Sequence, residues 1–373
     1  MRTTRLAALA GAALAVALAT VGVPAAAQPP APRPSAHPVF VQNDDPAGNT
    51  VIAYDRTPSG ALVRAGAYPT GGKGGVLDGS VVDHLASQGS LAYDGGLLFA
   101  VNAGSDTVTT FAVHGDRLVR RQVVPSGGDF PVSVTARGSL VYVLNARGGG
   151  SIQGYLRVGS GLVRIPSWHR ALGLDPDQTP EFTSTPGQIG LTPGGRQLVV
   201  TTKNGGNSVV VYPVGRFGPG APRVNPLPGA VPFGFAFDAR GHLALTEAGP
   251  NAVATFVVRP SGALLPLDSV PTAQAATCWA VAAGSDVYAA NAGSGTLSGY
   301  RVGIGGALRP LAVTPTGAGT VDAAVSRDGR FLYVQTGVAG GVDAFRIGRD
   351  GTLVGVGSVI VPNAVGGEGI VAL

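Results

Sequence analysis

Residues 286–308, DVYAANAGSGTLSGYRVGIGGAL, decide the fold. The stretch reads as a strand (287–290), a small-residue loop (291–295) and a second strand (296–302), then a glycine turn and the start of a third strand. Alternating apolar residues bounded by Gly, Asn and Ser mark half-buried antiparallel strands with tight connections. Variants of the phrase recur at 39–63, 97–119, 140–163, 197–220, 242–265 and 331–353. The aromatic that closes the second strand of the phrase acts as a ruler: Tyr54, Phe111, Tyr155, Tyr212, Phe256, Tyr300 and Phe345. Successive gaps are 57, 44, 57, 44, 44 and 45 residues. A period in the forties with four short strands per unit predicts an all-β, seven-bladed β-propeller of four-stranded antiparallel blades.

Composition agrees. Gly 59 and Pro 29 are high, but 45% hydrophobic content and a mean hydropathy of +0.27 exclude a disordered chain. Aromatics reach only 6%, so the sheets must pack mainly through Val, Leu, Ala and Ile. The net charge is +5, yet Arg and Lys are scattered along the blades with no run and no interleaved aromatics. Nucleic acid is therefore not an expected partner. A single cysteine, Cys278, rules out an intrachain disulfide, and a domain of this size does not need one.

Residues 1–27 read as a secretory signal. Arg2 and Arg5 precede an apolar run over 6–23, and Pro24 with Ala25, Ala26 and Ala27 forms a small-residue cleavage site. The expectation is a secreted, extracellular protein cleaved after Ala27, without stable membrane insertion thereafter, and monomeric. Residues 28–38 form a Pro/Ala-rich linker, and the propeller occupies 39–373. The first repeat begins at a second-strand position, VFVQND, so its innermost strand is missing. Residues 366–373, GGEGIVAL, match the innermost-strand segments GTVDAAV and PFGFAF. The C-terminal strand is thus predicted to complete the N-terminal blade, which leaves no open sheet edge.

A typical repeat places strands at 132–136, 140–145, 151–158 and 162–166. Loops between second and third strands then share a face with the connections from an outer strand to the next inner one. Each of the two 57-residue gaps carries thirteen extra residues in such a connection, at 68–88 and 166–185. These insertions hold His84, His169, Trp168, Asp78, Asp83, Asp175, Asp177 and Glu181. They are expected to form a partial lid over the channel mouth, on loops that a rigid scaffold positions.

The repeats LFAVNAGSDTVTTF, LVYVLNARGGGSIQGY, VYAANAGSGTLSGY and FLYVQTGVAGGVDAF resemble the YVTN-type repeats of the lactonase family of seven-bladed propellers. That family includes 6-phosphogluconolactonases and carboxy-muconate cyclases. The resemblance covers residues 39–373 and implies hydrolysis or isomerisation of a small lactone. The inner-strand Pro-Arg-His of the enzymes is replaced here by Pro186-Gly187-Gln188 and, in the next blade, by Pro232-Phe233-Gly234. Glu247, in LALTEAG, stands where other blades have Asn102, Asn145 and Asn291, and Lys203 holds that place in TTKNGG.

Lactone hydrolysis requires an activated water and stabilisation of an oxyanion. Glu247 as base and Lys203 as the positive group would face each other across the rim, joined by His84 and His169 from the insertions. Gln188, Trp279, Asn102, Asn145, Asn291, Asp322 and Glu368 are the expected substrate contacts, Trp279 as a stacking platform. No HxH, HExxH or CxxC spacing occurs, so no metal or other cofactor is expected. Cys278 has no local group to activate it and reads as a small packing residue. The alternative to the enzyme is a non-catalytic propeller that recognises an extracellular carbohydrate, peptide or envelope protein.

Overall fold

The computed structural model describes Met1 and residues 37–373. The expected signal and nearly all of the linker lie outside the described residues. Seven antiparallel sheets follow one another in chain order, each running from an inner strand outward. In blade 3 the strands are Pro131–Arg137, Leu140–Asn145, Ser151–Val158 and Gly161–Arg164, with Arg170–Ala171 extending the outer edge. The closure follows the sequence reading. Ile370–Ala372 pairs with Pro38–Gln42, with Val39 opposite Ala372 and Val41 opposite Ile370. Blade 1 is therefore three N-terminal strands completed by the last strand of the chain.

The core lies between neighbouring blades. Successive side chains of a strand point to opposite faces of its sheet, so each middle strand buries Val, Leu and Ala against both neighbours. The seven ruler aromatics are all buried, from Tyr155 at 0% to Phe345 at 6% exposure. Truncating one of them, such as Phe111, to alanine would cost ~3–5 kcal/mol. A second tyrosine set lies on second strands and bonds across blades. Tyr288 and Tyr333 donate their hydroxyls to the backbone oxygens of Gly351 and Gly60, at 2.8 and 2.9 Å. Phe331, Tyr333, Tyr54 and Ile370 belong to one cluster joining blade 7 to blade 1.

Two single helical turns interrupt the all-β plan, although no helix is expected from the sequence: Glu181–Ser184 and Lys203–Gly206. Both lie on the face that carries the insertions. Among the described residues, no helix is long and apolar enough to cross a membrane.

Candidate functional site at the lidded channel mouth

The two insertions meet, as the lid reading expects. The Asp78 backbone N–H donates to Glu181 Oε2 at 2.7 Å, and Phe182 N–H donates to the Asp78 carbonyl at 3.3 Å. Glu181 also takes both hydrogen bonds of a bidentate pair with Arg147, at 2.7 and 3.1 Å. From there the first insertion crosses to blade 7. A Cβ on Gly337 would sit 1.7 Å from the Val82 carbonyl oxygen, and one on Gly366 would sit 2.3 Å from the His84 ring. Only glycine permits either approach.

Residues 83–88 then descend into the channel and plug it. Asp83 caps the turn by accepting from the N–H groups of Leu85 and Ser87, each at 2.9 Å. Ser87 Oγ donates to Glu368 Oε2 at 2.7 Å, and Trp279 Nε1 donates to the Ser87 carbonyl at 2.6 Å. Gln88 bonds in both directions with the Ala280 backbone. Its carbonyl accepts from Ser133 Oγ, and its N–H donates to Gly187. One short segment is thus pinned to the inner strands of several blades.

Lys203 fastens this plug to the second insertion. It is 1% exposed, and its Nζ donates to Ala86 O and Phe182 O at 2.6 Å each and to Thr185 Oγ1 at 2.9 Å. All three ammonium protons are used. The Phe233 ring lies 5.3 Å beneath the charge. Burial pulls the lysine down to about 7, against the opposing pull of Asp83.

Four carboxyl groups share the buried centre: Asp44, Asp83, Asp322 and Glu368. Desolvation is the largest influence on each. It raises Asp44, Asp83 and Asp322 to about 7 and pushes Glu368 well above the carboxylate range. The Asp322 and Glu368 side chains interact directly, and the charge of Asp322 helps to hold the proton on Glu368. Glu368 Oε1 accepts from Ser90 N–H at 3.0 Å, and Asp322 Oδ1 from Ala323 N–H at 2.9 Å. A carboxyl pair that shares a proton holds an acid and a base side by side.

The expected Glu247–Lys203 pairing does not form. Second strands of blades 2, 3, 5 and 6 end on Asn102, Asn145, Glu247 and Asn291. The second strand of blade 4 ends earlier, at Thr201, which pairs with Val209. Lys203 therefore belongs to a longer loop, in a helical turn with φ +45°, and is not the counterpart of Glu247. Glu247 accepts instead from Ser269 Oγ on its own blade's outer strand, at 3.2 Å, and partial burial raises its carboxyl.

The remaining expected residues divide. His84 reaches the lid beside Gly366. Its Nδ1 is buried without a hydrogen-bond partner, and desolvation lowers its basicity. His169 does not reach the mouth. It follows Trp168, which is buried against Tyr142 at the outer edge of blade 3, and is itself exposed. Trp279 is 4% exposed and edge-on to Phe233, so its indole serves the plug rather than an open platform. Gln188 spends its side-chain oxygen on Phe235 N–H at 2.6 Å.

Asn102 and Asn291 are consumed by structural hydrogen bonds, their oxygens accepting from Asn49 and Thr277. Asn102 donates to Thr107 and Thr109, and Asn291 to Thr296 and Ser298. Asn145 donates to Ser151 and keeps a buried side-chain oxygen without a partner. Asp322 and Glu368, by contrast, do face one another at the centre. Sequence reasoning missed Ser87, Gln88 and Ser90. The run Ser87-Gln88-Gly89-Ser90 at the end of the first insertion carried the only signal. Cys278 is half-buried near Lys203, and desolvation pushes its thiol up to about 12. Among the described residues, no three His, Cys, Asp or Glu side chains are placed to hold a metal ion.

The mouth itself has little free room. A cavity of about 40 Å³ lies between the 147–149 loop and the second insertion, lined by Arg147, Leu174, Gln178, Glu181 and Thr185. That is space for a few waters.

The fold is a seven-bladed propeller that resembles the lactonase-type propellers. No family model matches the sequence, and no curated protein does. Solved structures do match. The periplasmic gluconolactonase of Pseudomonas aeruginosa superposes with a TM-score of 0.70 at 19% identity, over 90% of this chain and 99% of that one. A provisionally assigned 6-phosphogluconolactonase from Bacteroides uniformis gives 0.72 at 15%, over 90% and 99%. The virginiamycin B lyase of Staphylococcus aureus gives 0.54 at 13%, over 76% and 87%. At these identities the likeness is one of fold, and the fold hosts more than one reaction.

Proposed function

We propose that this chain is an exported lactone hydrolase that works in the channel mouth when the first insertion lifts. The observation that carries the reading is the buried centre beneath the lid. Lys203, from the turn after the second strand of blade 4, and the Asp322–Glu368 carboxyl pair, on or beside inner strands, converge there under the insertions. Lifting residues 83–88 would free the Lys203 proton now given to Ala86 O and uncover Asp322 and Glu368. A lactone carbonyl would then take its polarising hydrogen bond from Lys203. The ionised member of the carboxyl pair accepts a proton from water as the water oxygen attacks the acyl carbon. The ring C–O bond breaks, and the protonated partner supplies the proton that the alkoxide needs, leaving an open hydroxy acid. Whole-chain likeness to a gluconolactonase supports this reaction class over others the fold hosts.

A second reading, the non-catalytic binding propeller, draws on the plug itself. Lys203 and Trp279 are already spent on backbone oxygens, as structural groups would be. The two readings separate on a panel of sugar and aromatic lactones, with proton release followed at constant pH. Turnover of any of them supports the hydrolase. Absence of turnover across the panel, with the chain folded, selects the binder.

A further inference from the structure

The propeller sorts its charge between its two faces. The lid face exposes Asp78, Asp106, Asp129, Asp175 and Asp177, with Glu181 half-buried among them. The opposite face is built from the turns between first and second strands and the hairpins between third and fourth strands. Those connections carry Arg137, Arg196, Arg216, Arg240, Arg259 and Arg327, all exposed. None of these six makes an ion pair among the described residues. Three carboxylates on this face are paired with arginine, Asp94 with Arg157, Asp286 with Arg301 and Asp328 with Arg56. Asp238 contacts His242, and Asp55, Asp116 and Asp350 stand outside ion pairs among the described residues, fewer than the six arginines. The positive excess of the chain therefore stands on the face away from the lid.

Large apolar side chains project from the same face. Ile304 at the blade 6 hairpin is 84% exposed, Phe217 at the blade 4 hairpin 74%, and Val158 at the blade 3 hairpin 64%. The blade 5 hairpin between blades 4 and 6 carries Arg259 and Pro260. Arg216 lies over the Phe217 ring at 4.3 Å. Beside Ile304 is a groove of about 540 Å³ lined by Arg240, Arg301, Arg309, Ser285 and Pro310. Arg309 is exposed, and Arg240 donates to Ser285 Oγ at 2.6 Å rather than to a carboxylate.

We infer that this arginine-rich face docks peripherally on an anionic phospholipid bilayer, with Arg240 and Arg309 of the groove taking a lipid headgroup phosphate. Arginine and exposed apolar groups at one level are what a membrane interface selects. The guanidinium groups stay among phosphates while Ile304, Phe217 and Val158 enter the headgroup–acyl boundary. A soluble polyanion would satisfy the arginines but give no role to three apolar tips on separate hairpins. The acidic lid face repels the same surface, so docking has one orientation, with the channel mouth turned to solvent. Nothing spans the bilayer in this arrangement.

The test is co-sedimentation of the chain from Gln28 onward, whose propeller closes within residues 38–373, with vesicles of phosphatidylcholine alone or with about one-third phosphatidylserine. Binding is expected to the mixed vesicles only, and to be lost in about 1 M salt, where the Debye length is about 3 Å. Arg240→Ala with Arg309→Ala should weaken partition roughly 25-fold, about five-fold per arginine. Phe217→Ser with Ile304→Ser should weaken it as well. All four side chains lie outside the core, and unchanged circular dichroism checks the fold. Failure to bind the mixed vesicles in low salt overturns the inference. So does partition that both double variants leave unchanged, or retention on a sulfated polysaccharide without vesicle binding.

Discussion

Lys203 Nζ and the carbonyl oxygen of Ala86 lie 2.6 Å apart, a hydrogen bond between blade 4 and the segment that fills the channel. The same ammonium reaches Phe182 O and Thr185 Oγ1, so one side chain fastens both insertions. Replacing it with an uncharged residue strands three buried acceptors and leaves the nearby carboxyl groups without their cation. Lys203→Met should lose about 3–5 kcal/mol of stability. Its denaturant midpoint should fall, and limited proteolysis should cut first within 68–88 or 166–185. A variant as stable and as protease-resistant as wild type would contradict the fastening role.

The buried carboxyl groups make stability depend on pH in the less usual sense. Asp44, Asp83 and Asp322 are raised to about 7, and Glu368 lies higher still. Between about pH 4 and 7 the folded state keeps protons that the unfolded chain has released, so stability falls as pH rises through that window. Lys203, lowered to about 7, acts oppositely above that pH, where the unfolded chain keeps the proton. The Tm should be higher at pH 5 than at pH 7.5, with partial recovery in more alkaline solution. Glu368→Gln should flatten the acid side of the curve.

Trp279 holds Ser87 from the opposite side of the channel. Trp279→Phe keeps the contact with Phe233 but leaves the Ser87 carbonyl without its donor, at a cost of about 1–3 kcal/mol. Hydrogen exchange at residues 85–88 should quicken more than exchange in the blades. Uniform quickening throughout the propeller would point to global destabilisation instead.

Arg147 and Glu181 pair at the lid's outer edge, with side chains 41% and 22% exposed. So exposed a pair contributes at most about 1 kcal/mol to stability. If lid lifting limits turnover, Arg147→Ala should raise kcat while shifting Tm by little. A fall in kcat with unchanged KM would show that the arginine acts on the transition state rather than on the lid.

Much of the architecture was legible because blades repeat. Seven aromatics at a near-constant spacing fixed the blade count, and GGEGIVAL, alike in pattern to other inner strands, disclosed the closure. The insertions were legible as departures from the period, and their placement on one face followed from strand alternation. The site was less so. Loop equivalence placed Lys203 opposite Glu247, but a strand that ends at Thr201 and a left-handed backbone at Lys203 turn its side chain inward. Nothing local marks that change. Nor does sequence order reveal that residues 83–88 enter the channel, since their partners come from blades dozens to hundreds of residues away. His169 was drawn outward by its neighbour Trp168, whose burial against Tyr142 sets the path of the chain there.

The most direct test of the account compares Glu368→Gln with Glu247→Gln in proton-release assays on whichever lactone the wild-type chain turns over best. The account predicts that Glu368→Gln abolishes hydrolysis, since it removes one member of the carboxyl pair. Glu247→Gln should retain wild-type kcat, because that carboxyl serves Ser269 on its own blade. The reverse result, loss with Glu247→Gln and retention with Glu368→Gln, would contradict the channel-centre site.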